Sequence, residues 1–243
     1  MKFLEDFKDK FILNFVEGDR WMWLVDGLVN TLIITLFSLI IGIVIGVVVS
    51  AVRSTYDKNK ETMQKNGGIG YVVMRILNWI CNLYLTVFRG TPVVVQLLIW
   101  YFIILASSTN GVFVAIVAFG VNSGAYVAEI FRGGIMSVDN GQFEAGRSLG
   151  FNYLQTMVHI IIPQAFKTVL PTLCNEFIVL IKETSIAGYV GVMDLTKAGD
   201  LIRGRTFSAF MPLIAVALIY LVMVIILTSL VGVLERRLRK NER

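Results

Sequence analysis

The stretch Glu144-Ala145-Gly146-Arg147-Ser148-Leu149-Gly150, running on to Ile160-Ile161-Ile162-Pro163, decides how the rest of this chain is read. It is polar, rich in small residues, and set between strongly apolar segments. Such a segment cannot lie bare in hydrocarbon, where no water satisfies its backbone and charges. It belongs at a membrane surface, shaped to dock onto something. Asp139-Asn140-Gly141-Gln142 reads as a helix start, with Asp139 as the cap three residues before Gln142. Ala145 and Gly146 carry little bulk, so a partner can approach the backbone there. Gly150 can adopt positive φ, ending a short helix and turning the chain into residues 151–162. Pro163 then fixes the start of the next apolar span.

The surroundings of this stretch are those of a membrane protein. The chain has 243 residues, 56% of them hydrophobic and 16% charged, where a soluble domain would carry about a quarter charged residues. Apolar runs recur at 23–52, 92–107, 112–135, 165–181 and 211–234. A further run at 69–88 is interrupted by Arg75, Asn78 and Asn82. The runs are continuous and do not alternate with period two, which argues against a β-barrel. The net charge of +5 comes from bases clustered beside the spans, at 53–65 and 236–243. That is the pattern of cytoplasmic loops, not of a nucleic-acid-binding stripe. Cys81 and Cys174 are far apart in apolar surroundings, and read as small hydrophobes. His159 has no second ligand at metal-binding spacing, so no metal site is expected.

Within the opening stretch, Glu-Ala-small is followed by three residues, Gly, nine residues, Ile, one residue, an apolar residue and Pro. This resembles the coupling-loop signature of ABC import permeases, with Gly146 standing where Ala is usual. Three further strings narrow the likeness: Arg89-Gly90-Thr91-Pro92 followed by Gln96; Ala128-Glu129-Ile130-Phe131-Arg132-Gly133-Gly134-Ile135; and Lys182-Glu183-Thr184-Ser185-Ile186. They are similar to those of histidine-, glutamine-, arginine- and cystine-type permeases, over nearly the whole chain. The resemblance implies a type I importer fold: all-α, integral in the membrane, with about five transmembrane helices and a cytoplasmic coupling helix. It implies that Glu144, Ala145, Gly146 and Gly150 form the contact with a separate ATPase. The implied partners are two ATPase copies, a second permease chain (identical or paralogous), and an extracytoplasmic amino-acid-binding receptor in a bacterial plasma or inner membrane. No Gly-x-x-x-x-Gly-Lys-Ser/Thr phosphate loop occurs in this chain. It is therefore expected not to be an enzyme and to hold no cofactor, ATP and Mg residing on the ATPase.

Parity then sets the expected topology. The bases at 53–65 and 236–243 and the coupling loop at 136–163 should all be cytoplasmic, so an even number of spans separates 65 from 143. The runs 92–107 and 112–135 supply two, which leaves 69–88 as a helix lying in the inner interface. The N-terminus then lies outside, with residues 1–22 an amphipathic extracytoplasmic tail and 23–243 the permease domain. In the first span Ser38, Gly42, Gly46 and Ser50 recur every four residues, a stripe that predicts close helix packing.

Polar groups at membrane depth mark the candidate substrate path. Asn175 and Glu176 interrupt an apolar helix, and Glu183 lies seven residues from Glu176 on the same face. A carboxylate there can accept an α-ammonium group or a cationic side chain. Lys182 or Arg89 can complement the α-carboxylate, while Thr184, Ser185 and Gln96 can add hydrogen bonds. Asn122 and Tyr126 can line the same cavity from the span 112–135. The structural alternative is that Glu176 pairs with a base such as Arg132 and that Arg89 and Lys182 reach the interfaces. For the whole chain the reading is a permease importing polar, perhaps basic, amino acids by ATP-driven alternating access. The rival is a secondary transporter driven by an ion gradient, which should show inverted repeats.

Overall fold

The computed structural model describes residues 2–240; the final three residues of the basic tail, 241–243, lie outside the described residues. The described chain is helical, without strands. In chain order the helices are α1 (Lys2–Phe11), α2 (Arg20–Asn66), α3 (Ile69–Gly90), α4 (Val93–Ile99), α5 (Gly111–Met136), α6 (Asn140–Ser148), α7 (Tyr153–Thr156), α8 (Ile162–Glu183), α9 (Leu195–Thr206) and α10 (Phe210–Lys240). A wide π turn, Met157–Ile161, joins α7 to α8, and a 3-10 segment, Thr184–Val190, follows α8.

Five helical stretches among the described residues are long and apolar enough to cross a membrane, lying within Glu5–Lys65, Ile69–Gly90, Gly111–Met136, Tyr153–Val190 and Phe210–Leu238. The number agrees with expectation, but one member differs. The 22 residues of α3 rise about 33 Å, enough to cross a hydrocarbon core of about 30 Å. The apolar helix Val93–Ile104 is too short. Its α-helical part ends at Ile99 and a π turn over Trp100–Ile104 closes it. The expected interfacial helix at 69–88 is thus the crossing candidate, and the expected span 92–107 is not. Parity survives the exchange, because α3 and α5 now supply the even number. The polar Arg75, Asn78 and Asn82 misled the count; around them Val72, Val73, Ile76, Trp79, Ile80 and Leu83 present apolar surface outward.

The chain divides into two compact units. The first comprises Met1–Ser38, Val93–Phe119 and Phe177–Leu230. Its core gathers Phe15, Leu24, Leu195, Ala198, Ile202, Met211 and Val216. Buried polar groups join its pieces: the Thr206 hydroxyl donates to Asn14 Oδ1 at 2.8 Å, the Asn30 amide to the Met193 carbonyl at 2.9 Å, and the Leu195 N–H to Thr31 Oγ1 at 3.1 Å.

The second unit comprises Leu39–Pro92, Gly120–Glu176 and Val231–Arg243. Here the small-residue stripe does what its spacing predicts. A Cβ on Gly46 would fall 2.5 Å from Val127 Cγ1 and 2.9 Å from the Ala128 backbone nitrogen, so α2 and α5 meet almost backbone to backbone. Val49, Leu85, Ala125 and Ala128 form one apolar cluster of this unit. Val127, Val169 and Leu173 form another.

Candidate functional site

The surface stretch that opened the reading folds as α6, a short turn and α7, all in the second unit. Asp139 caps α6, its Oδ1 accepting from the Gly141 N–H at 2.6 Å. At the other end Gly150 adopts φ +80. The Phe151 N–H returns to the Gly146 carbonyl at 3.0 Å and the Gly150 N–H to the Arg147 carbonyl at 2.9 Å, the paired closure that left-handed Gly permits. A reciprocal cap that the sequence reading missed starts α7: Gln155 N–H donates to Asn152 Oδ1, and Asn152 N–H to Gln155 Oε1. The pattern Asn-x-x-Gln was its signal. Pro163 sits in the first turn of α8, where its missing N–H costs no helical bond.

One face of α6 is held inward. Phe143 packs with Ile135, Val138, Met157, Ile161 and Ala165. The inner end of α2 reinforces this: Lys58 Nζ lies 4.4 Å from the Phe143 ring centroid and donates to Asn140 Oδ1 at 2.6 Å. Gly146 belongs to this inner face. It is buried against Thr156, so its smallness serves packing rather than the approach of a partner. Glu144, Ala145, Arg147 and Ser148 point outward. Leu149 and Leu154, 70% and 69% exposed, add an apolar rim that the sequence reading did not single out. The outward face is thus one carboxylate and one guanidinium on small residues, flanked by leucines. It is a knob fitted to a protein groove.

The same unit holds a cluster of charges centred on Glu129. Its Oε1 accepts from Arg53 Nη1 at 2.6 Å and lies 3.9 Å from Arg89 Nη1. Its Oε2 accepts from Arg132 Nε and Nη2 at 3.2 and 3.1 Å, and Arg132 also reaches Asp57 at 3.3 Å. The Arg89 guanidinium lies 5.7 Å from the Tyr126 ring centroid. Arg89 and Tyr126 are therefore brought together, with Glu129 the unanticipated member. Asn122 donates to the Phe88 carbonyl at 3.1 Å, tying α5 to the end of α3. Glu176 accepts from the buried Ser123 hydroxyl at 2.9 Å. Arg132 is paired with Glu129 and Asp57, not with Glu176. Asn175 is exposed on α8.

The remaining candidates belong to the first unit. Gln96 is buried on α4, Lys182 is exposed at the end of α8, and Glu183 is half-buried. The Thr184 hydroxyl donates to the Ile181 carbonyl at 2.8 Å and lies 3.4 Å from Thr35 Oγ1, so it serves the helix end. Ser185 borders a cavity of about 340 Å³ with Thr196, Lys197 and Asp200. Beside it Asp194, fully buried, caps α9. Burial raises its carboxyl pKa to about 6, against the opposing pull of backbone N–H groups from Lys197, Gly188, Thr196 and Ala187. Asp200 is held below the usual carboxylate range, chiefly by its hydrogen bond from Arg203.

Comparison with known proteins decides the family. Residues 67–240 match the family described as binding-protein-dependent transport system inner membrane component. The chain belongs to that family. Among its relatives is the arginine transport system permease protein ArtQ of Bacillus subtilis (strain 168), 41% identical over 167 residues, 68% of this chain and 76% of that protein. The putative glutamine transport system permease protein GlnP of Rickettsia prowazekii (strain Madrid E) is 37% identical over 170 residues, 69% of this chain and 78% of that protein. A solved crystal structure of an amino acid ABC transporter with histidines superposes with a TM-score of 0.78 at 35% identity, covering 92% of this chain and 98% of that one. The fold is accordingly that of type I ABC importer permeases, and the chain is a membrane-embedded transport component.

Proposed function

We propose that this permease imports polar amino acids, as part of an assembly with a second permease chain, two copies of a separate ATPase and an extracytoplasmic receptor. The observation that carries the reading is the outward knob on α6, Glu144 and Ala145 with Leu149 and Leu154 beside it, braced from behind by Phe143 and Gly146. ATP binding closes the ATPase pair, the knobs follow, and the spans open the path outward. Hydrolysis resets the inward state, and this chain itself performs no covalent step. The relatives named for arginine and glutamine support the substrate class.

In this reading the N-terminus and the segment 187–208 face outward, and the α6 knob and the basic ends at 53–65 and 236–243 face the cytoplasm. Residues 1–22 form a tail and 23–243 the permease domain. The substrate meets Glu176 with Asn175, Asn122, Tyr126 and Arg89, or Gln96, Lys182, Glu183, Thr184 and Ser185, along its way. The test is uptake of radiolabelled arginine and glutamine by vesicles containing the permease, its ATPase and its receptor. Uptake should need ATP on the ATPase side and should collapse with Glu144→Lys while the complex still assembles in the membrane. Uptake driven by a proton or sodium gradient without ATP, or labelling of a Cys at position 144 from outside, would overturn the reading.

A further inference from the structure

The second unit contains a cavity of about 400 Å³ that the transport reading does not use. Its size falls within the range of about 300–1,000 Å³ typical of small-ligand sites. Its walls come from the inner part of α2 (Val47, Ala51), the end of α5 (Phe131), and the segment after the α6 knob (Leu154, Val158, Phe166). No charged side chain lines it among the described residues. Two hydroxyls on its lining are anomalous. Ser54 is 1% exposed and its Oγ has no hydrogen-bond partner, and the buried Tyr153 hydroxyl has none either. A buried hydroxyl without a partner is costly, so each calls for an acceptor or donor that the chain does not supply.

We propose that this cavity holds one acyl chain of a bilayer phospholipid, with the ester carbonyl accepting hydrogen bonds from Ser54 and Tyr153. The hydrocarbon suits the walls and the carbonyl suits the hydroxyls. The source is the bilayer because α2 and α8 belong to membrane-crossing stretches. The rim is also apolar and open: Val47, Val158 and Phe166 are 43%, 48% and 49% exposed. The cavity shares Ile135, Met157 and Ala165 with the cluster that anchors Phe143 of the knob. A bound chain therefore packs against the same residues that brace the ATPase-facing helix.

The test uses the intact complex in phospholipid nanodiscs carrying a photoactivatable diazirine on the acyl chain, with labelled peptides mapped by mass spectrometry. Labelling of peptides spanning 47–55 and 153–166 should saturate with probe. Labelling of the exposed α10 residues Leu221 and Ile225 should rise without saturating. Ala51→Trp and Val158→Trp, which fill the cavity from its rim, should each lower the saturable signal several-fold and leave the α10 signal unchanged, which also reports that the fold is intact. An ester-linked probe should outcompete its ether-linked counterpart in the parent protein but not in the Ser54→Ala, Tyr153→Phe double variant. Non-saturating labelling identical to that of α10, equal labelling by ester and ether probes, or crosslinks to a second copy or the ATPase in place of lipid would overturn the proposal.

Discussion

Gly146 and Thr156 stand so close that a Cβ on Gly146 would lie 2.6 Å from Thr156 Cγ2 and 2.7 Å from its Oγ1. Neither neighbour can yield freely, since Thr156 is 2% exposed and its hydroxyl donates to the Asn152 carbonyl at 3.0 Å. Gly146→Ala should therefore push α6 off its seat, costing about 1–3 kcal/mol as overpacking does. Thermal unfolding in detergent should show a lowered Tm, and uptake should fall with it. Adding Thr156→Ala removes both close atoms and should restore much of each. A Gly146→Ala protein as stable and active as the parent would refute the seat.

Glu129 collects guanidinium groups from Arg53, Arg89 and Arg132. Replacing it with Gln leaves three like charges facing one another with no counter-charge beyond Asp57. The expected loss is about 3 kcal/mol or less, since removal of one partner from a buried pair costs about 3–5 kcal/mol and this site is partly solvated. Glu129→Asp, which keeps the charge, should lose less. Equal melting temperatures for the Gln and Asp variants would show that the charge contributes nothing.

Asp194 gives a pH signature. Its carboxyl is raised to about 6 in the fold from 3.8, so between these values the folded state holds a proton that the unfolded chain has released. Stability from this group is then full below about pH 4, declines as pH rises to about 6, and is flat above. The span of about two pKa units corresponds to about 3 kcal/mol. Asp194→Asn should flatten that slope between pH 4 and 6. It keeps an acceptor for the Lys197 N–H but loses the one for Gly188, at a constant cost of about 1 kcal/mol. A slope unchanged in the Asn variant, followed by melting against pH, would assign the titration elsewhere.

Glu176 is the carboxylate whose charge should matter to cargo. With Glu176→Gln, arginine uptake should drop about tenfold relative to glutamine, the scale of one charge-assisted hydrogen bond against a neutral one. The Ser123 contact can persist in the amide, so the fold should hold. An unchanged ratio of the two uptake rates would remove Glu176 from selectivity.

The features legible in the sequence are those governed by short-range chemistry. Asp139 as a cap, Gly150 as a left-handed stop and the four-residue spacing of Gly42 and Gly46 each follow from neighbours a few positions away. The inward orientation of Gly146 was not legible, because a nine-residue helix with small residues on two faces gives no phase by itself. Nor was the Glu129 cluster, whose bases lie 76 and 40 positions earlier as well as on the next turn. The exchange of α3 for the 92–107 run was within reach. Polar residues in 69–88 were weighed more heavily than length, yet 16 residues rise only about 24 Å, short of a bilayer.

The π turn at Met157–Ile161 inserts one residue beyond ordinary helical winding, which shifts phase by about 100°. Side chains from Ile162 onward therefore point elsewhere than a wheel drawn continuously from Tyr153 would assign them. Aligning relatives through this stretch by periodicity alone will swap lipid-facing and interior positions all the way down α8. A gap placed at the wide turn corrects every one of them.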